Sequence, residues 1–198
     1  GMGQYAGTKT VPFTIKGKAN TVTTPYTYYY RNPGAAAFTP NVKTTGDGTG
    51  FTFTSDNENV ATVDATGKIS IVGNIGKARI TIQTVGTKEY EPASKVITVT
   101  VRAKTPVFSL SSPVKKQVKV LVTKVEGATN YVISYGRMGK YYKKTIKHIE
   151  SEFPKTYTYI KNRTSGRNYF IKVRAITKLD DGTTIYGKWS IVKKIKSK

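Results

Sequence analysis

The chain has 198 residues and carries 33 Lys+Arg against 11 Asp+Glu, a formal charge of +22 with a sequence pI of about 10.0. It has no cysteine and one histidine, His148, which excludes disulfides, thiolate metal sites, cysteine nucleophiles and histidine-rich metal clusters. An apolar content of 37% with 14 Tyr is too high for a disordered polycation, and no apolar run nears the roughly 20 residues that span a bilayer.

The start, Gly1-Met2-Gly3-Gln4, has neither a basic nor an apolar segment and is not a signal peptide; Gly1 before Met2 reads as a remnant of tag removal. Further along, apolar and polar residues alternate with a period of two, the mark of strands with one dry and one wet face. Phe51 and Phe53, Ile69 and Ile71, Ala78, Ile80 and Ile82, and Ile97, Val99 and Val101 follow this rule. So do Val118, Val120 and Val122, and Tyr169, Ile171, Val173 and Ala175. Turn chemistry separates the runs, at Arg31-Asn32-Pro33-Gly34, Gly46 to Gly50, Ala65-Thr66-Gly67-Lys68, Gly136 to Gly139 and Asp180-Asp181-Gly182. No stretch carries a helical stripe. Many short strands at this spacing predict an all-β chain of two tandem β-sandwiches.

Charge places the seam. Residues 1–103 hold 11 Lys+Arg and 6 Asp+Glu, net +5, whereas residues 104–198 hold 22 and 5, net +17. The expected units are therefore 1–103 and 104–198, joined at Arg102-Ala103-Lys104-Thr105-Pro106, where Pro106 lacks a ladder donor.

Ser55-Asp56-Asn57-Glu58-Asn59-Val60-Ala61-Thr62-Val63-Asp64-Ala65-Thr66-Gly67-Lys68-Ile69, followed by Gly76-Lys77-Ala78-Arg79-Ile80-Thr81 and Tyr90-Glu91-Pro92-Ala93-Ser94, resembles the group 2 bacterial immunoglobulin-like domain over about residues 51 to 101. In that reading Val60 and Val63 are apolar plugs and Gly67 permits a tight turn. The Tyr-rich segment Tyr26-Thr27-Tyr28-Tyr29-Tyr30 departs from the pattern. Val125-Glu126-Gly127-Ala128-Thr129-Asn130-Tyr131-Val132-Ile133-Ser134-Tyr135 and Gly166 to Ala175 resemble a Lys-rich fibronectin type III domain of Gram-positive gut bacterial surface proteins. The resemblance implies immunoglobulin-like sandwiches and makes Tyr169 a tyrosine corner whose hydroxyl bonds to backbone upstream. Tyr186-Gly187-Lys188-Trp189-Ser190 then fits the last strand, and Trp189 is assigned a structural role. Val122 stands where that family carries Trp, and Arg163 where it carries an apolar residue, so Arg163 needs an exposed or stacked position.

Each candidate catalytic group has a blander alternative. Glu150 and Glu152 would share a strand face, but among so many cations they read as charge compensation. His148 follows a polycationic run that disfavours its charged form, and reads as a solvated strand residue. Asp56-Asn57-Glu58-Asn59 offers oxygen ligands without the spacing of a calcium loop. Gly46 to Gly50 lacks the Lys-Ser/Thr of a phosphate loop, Asn162-Arg163-Thr164 is a chance glycosylation sequon in a bacterial-looking chain, and no Arg-Gly-Asp is present. No catalytic residue, metal or cofactor is expected.

Cations interleaved with aromatics stand out instead. In Lys140-Tyr141-Tyr142-Lys143-Lys144-Thr145-Ile146-Lys147, a strand would put Tyr141, Lys143, Thr145 and Lys147 on one face and Tyr142, Lys144 and Ile146 on the other. Lys140, Tyr141, Lys143, Lys144 and Lys147 are the candidate polyanion-binding residues, against the alternative that lysines only protect a sheet edge. Such charge attracts DNA at low salt, but no recognition helix or motif accompanies it, so no specific nucleic acid is expected. The expected role is a non-catalytic, extracytoplasmic binding or adhesion module, monomeric, contacting anionic wall polymers, glycans or a protein partner, with its export signal outside this sequence. A spacer or accessory region of a larger secreted enzyme, or decoration of a phage virion, is the alternative.

Overall fold

A computed structural model describes Thr10 and residues 16–47, 50–137, 140–147 and 155–198, with only the backbone of Lys147 and Lys155. The chain is all-β and forms two β-sandwiches in tandem; among the described residues there is no helix, and none long and apolar enough to cross a membrane.

The first sandwich uses β1 (Val22–Thr23), β2 (Tyr28–Arg31), β3 (Lys43–Thr44), β4 (Phe51–Ser55), β5 (Ala61–Val63), β6 (Ile69–Ile71), β7 (Gly76–Thr84) and β8 (Ser94–Val101). Its main sheet has the order β2-β8-β7-β4, with β2 parallel to β8 and the other neighbours antiparallel. The alternating residues of β7 and β8 point inward, so Ala78, Ile80, Ile82, Ile97, Val99 and Val101 are fully buried. They pack against Val60, Ala61 and Ile69, which arrive on the short pair β5 and β6. Val60 is buried and Val63 half-buried against this core.

The turn between β5 and β6 is held by one carboxylate. Asp64 accepts the Thr66 hydroxyl at 2.6 Å and the backbone N–H groups of Thr66 and Lys68 at 2.9 and 3.0 Å. The Thr66 hydroxyl and then the Lys68 N–H hold its pKa below the usual carboxylate range. Gly67 completes the turn at φ +82°, and a Cβ there would run into the Phe53 ring. Gly67→Ala should therefore combine left-handed backbone strain with ring displacement, lowering stability by about 1–3 kcal/mol in a urea melt.

The second sandwich contains β9 (Phe108–Ser111), β10 (Val118–Thr123), β11 (Asn130–Arg137), β12 (Lys140–Lys147), β13 (Lys155–Ile160), β14 (Asn168–Lys178), β15 (Thr184–Tyr186) and β16 (Lys193–Lys196). One sheet has the order β13-β10-β9, and the other the order β12-β11-β14, with β15 and β16 both pairing β14 toward its two ends. Val118, Val120 and Val122 from the first sheet meet Tyr131, Ile133, Ile171, Val173 and Ala175 from the second. Tyr131 is wholly buried, and its hydroxyl accepts the Val125 N–H at 2.8 Å. The Tyr169 hydroxyl likewise accepts the Thr164 N–H at 2.9 Å, five residues upstream. Arg163 takes a stacked position, its guanidinium 5.4 Å from the Tyr135 ring centre and 5.6 Å from that of Tyr169.

The joint between the two is tight. Val101 belongs to the first core and Ala103 to the second, so Arg102 alone separates them. Asn32 Nδ2 donates to the Arg102 carbonyl at 2.7 Å, and the Arg102 N–H donates to the Arg31 carbonyl at 2.9 Å. Ile75 reaches out of the first sandwich to pack on the second core, over Gly127, where a side chain would take its place.

Candidate functional site

The register of the larger sheet in the second sandwich sorts its cations by face. Tyr131, Ile133, Ile171 and Val173 point to the core, so the residues between them point out. Lys143 pairs with Ser134, which pairs with Lys172; Tyr141 pairs with Gly136, which pairs with Phe170, which pairs with Lys194. The outer surface thus carries the small residues Ser134 and Gly136 of β11 with lysines and rings on both sides. Lys196, opposite Asn168, extends it along β16. Among the described residues, Lys143, Lys172, Lys194 and Lys196 have no carboxylate within ion-pair distance.

The five residues singled out on β12 divide between the two faces. Tyr141 and Lys143 lie on the outer face, and both are exposed. Lys144 points the other way: its ammonium donates to the Tyr159 carbonyl at 3.0 Å, bridging the open edge between the two sheets. Lys140 sits 5.7 Å from the Tyr142 ring centre, and Tyr142 packs against Tyr135 at 5.9 Å. Lys147 is placed opposite Asn130 by its backbone, while its side chain, with His148, Glu150 and Glu152, lies outside the described residues. Asp56 and Asn57 are tied to β7, with Asp56 Oδ1 accepting the Arg79 N–H at 2.6 Å and Asn57 Nδ2 donating to the Lys77 carbonyl at 3.2 Å. No group of three or more acidic or histidine side chains able to hold a metal ion occurs among the described residues.

Trp189, assigned a structural role above, is not a member of either core. It is half-buried and lines a cleft of about 940 Å³ between the two sandwiches. Arg174, on the outward face of β14, lies between two rings, with its guanidinium carbon 4.2 Å from the Tyr186 ring centre and 4.6 Å from that of Trp189. Lys172 reaches the same indole at 4.9 Å. Across the cleft, the guanidinium of Arg102 stacks on Tyr30 at 4.5 Å. The Tyr-rich segment that departs from the family pattern therefore supplies one wall. Tyr30, Arg174 and Tyr186 are not singled out by the sequence because each occupies an ordinary wet-face strand position, and Arg102 because it follows β8 directly in the joint. The available signal was the placement of arginine and aromatic residues on outward positions at strand ends close to the seam.

Known proteins give a partial match. Residues 39–87 match the family described as intimin, immunoglobulin-like domain. No curated protein matches the chain. Among solved structures, a two-domain fibronectin type III segment from chicken tenascin shares 14% identity over 83% of this chain and 94% of its own, with a TM-score of 0.48. The chicken interferon gamma receptor alpha chain shares 13% over 75% of this chain and 84% of its own, at 0.39. Three fibronectin-type domains of chicken CNTN1 share 15%, covering 66% of this chain and 47% of their own, at 0.37.

Proposed function

We propose that this chain is a non-catalytic binding or adhesion module of a bacterial surface or secreted protein, and that its second sandwich contacts anionic wall polymers or glycans. The match of residues 39–87 to an intimin immunoglobulin-like domain supports a role in binding at a cell surface. The motifs of residues 55–81 favour the group 2 class of bacterial immunoglobulin-like domains, and those of residues 125–175 the fibronectin type III class.

The observation that carries the reading is the outer face of the five-stranded sheet. There Lys143, Lys172, Lys194 and Lys196 stand together with no acidic partner among the described residues, beside the rings of Tyr141 and Phe170. Lysines placed only to protect a sheet edge would lie on edge strands, whereas Lys172 is on β14, which is paired on both sides. A surface of this kind binds by releasing counterions from a polyanion, so its affinity falls steeply with salt.

The chain should be retained on heparin resin and on purified bacterial wall at low salt, and elute as sodium chloride rises through a few hundred millimolar. The triple variant K143Q/K194Q/K196Q should elute markedly earlier. Elution of the variant with the parent would remove the sheet face from the binding surface, and absence of any retention would favour the spacer alternative.

A further inference from the structure

We propose that the cleft between the two sandwiches binds a saccharide bearing carboxylate groups, with Arg174, held between Tyr186 and Trp189, as its principal anion contact. This site is distinct from the lysine face of the sheet and does not depend on it.

Arg174 is the central observation. Its guanidinium carbon lies 4.2 and 4.6 Å from two ring centres, and its Nε is buried without an acceptor. Among the described residues its guanidinium makes no hydrogen bond or ion pair. A buried donor without an acceptor is costly, and ring stacking recovers only part of that cost. An arginine kept in this way is held rigid, with its planar fork unused by the protein, and a carboxylate is the group whose two oxygens match that fork.

The rest of the cleft matches a sugar acid. Lys77, Arg79, Arg102, Arg174 and Lys188 line it against one acid, Asp56, giving a net charge of +4. Asp56 is already engaged by the Arg79 N–H. The rings of Tyr30 and Tyr186, about half exposed beyond the face each gives to an arginine, offer apolar surface to the C–H side of a pyranose, and Thr98, Thr100 and Thr184 bring hydroxyls for its own. The volume, about 940 Å³, lies at the upper end of the roughly 300–1,000 Å³ of small-ligand sites. An acidic peptide is the competing occupant, because β2 and β15, the end strands of their sheets, also border the cleft, and hexaglutamate is the probe for it.

Trp189 is the single tryptophan of the chain, so its fluorescence reports on this cleft directly. The intact chain is titrated with tetragalacturonic acid, with the fully methyl-esterified tetramer and with hexaglutamate. A saturable change with the acid is expected, at least about tenfold weaker with the ester, which keeps the rings and removes the charge. Arg174→Met should weaken the acid response at least about tenfold without lowering the melting temperature, because it removes a buried unsatisfied donor. Arg102→Gln, on the opposite wall, provides a second variant and should weaken it severalfold. K143Q/K194Q/K196Q should leave it unchanged, and R174M should keep its salt-dependent retention on heparin, so the two sites fail or stand separately. No response to the acid, an equal response to the ester or to hexaglutamate, or undiminished affinity in both arginine variants would overturn the proposal.

Discussion

Alanine in place of Tyr131 should destabilise the second sandwich by about 3–5 kcal/mol, the range for truncating a fully buried aromatic side chain. The ring is wholly buried in the core formed by Val118, Val120 and Val122 on one sheet and Ile133 and Val173 on the other. For a sandwich of this size the loss corresponds to a fall of more than about 12 °C in the melting temperature of that unit. Tyr131→Phe isolates the hydroxyl. It keeps the ring and leaves the Val125 N–H without its 2.8 Å acceptor, at a cost of about 1–3 kcal/mol. The same burial raises the pKa of the Tyr131 phenol above its ordinary value, and burial does the same for Tyr29. Below about pH 10 both folded and unfolded states hold the proton, and stability does not change on this account. Above it, the unfolded chain releases a proton that the folded chain retains, so stability should fall as pH rises from about 10. Chemical denaturation at pH 7, 10 and 11 should show this decline, and Tyr131→Phe should have a shallower one. A parent and a phenylalanine variant with parallel declines would refute the assignment.

Gly136→Ala should separate the basic face from the fold that carries it. A Cβ at this position would overlap the Lys140 carbonyl and come within 2.9 Å of the Tyr141 Cα, so backbone rather than a side-chain tip must give way. The strand affected is β12, an edge strand that pairs only with β11 and holds Tyr141 and Lys143. Overpacking of this kind costs about 1–3 kcal/mol, and here the least expensive relief is unpairing of β12 near Gly136. Hydrogen exchange should therefore accelerate along residues 140–146 while β14 stays protected, and elution from heparin should shift to lower salt. Unchanged exchange in β12 would mean that the hairpin tolerates the methyl group.

Periodicity alone was enough to read the interiors of both sandwiches. Ile80, Ile97, Val99, Val120, Ile171 and Val173 are buried where alternation puts them, because a strand with one dry face leaves no other choice. The division of β12 into two faces was readable for the same reason. What alternation does not give is the destination of a long side chain. Lys144 occupies an inward position on the rim and can satisfy its ammonium only by crossing to the Tyr159 carbonyl, a contact set by the spacing between the two sheets. The cleft was hidden more deeply. Tyr30, Arg102, Arg174 and Trp189 come from four separate parts of the chain, and each is unremarkable in its own segment. They meet only because Ala103 enters the second core directly after Val101 ends the first, which fixes how β8 faces β14. Alternation also says nothing about the partners of Trp189, whose ring meets the cations of Lys172 and Arg174.

The one-residue spacing between Val101 and Ala103 also has a mechanical side. A tether with several loose residues would straighten under tension before either sandwich felt the pull, acting as a shock absorber. Here there is no such slack, and Asn32 clamps the Arg102 carbonyl from the side. Force arriving at one end passes straight into the hydrogen-bond ladders of the next unit, and a gap walled by both is opened or kept by the same pull.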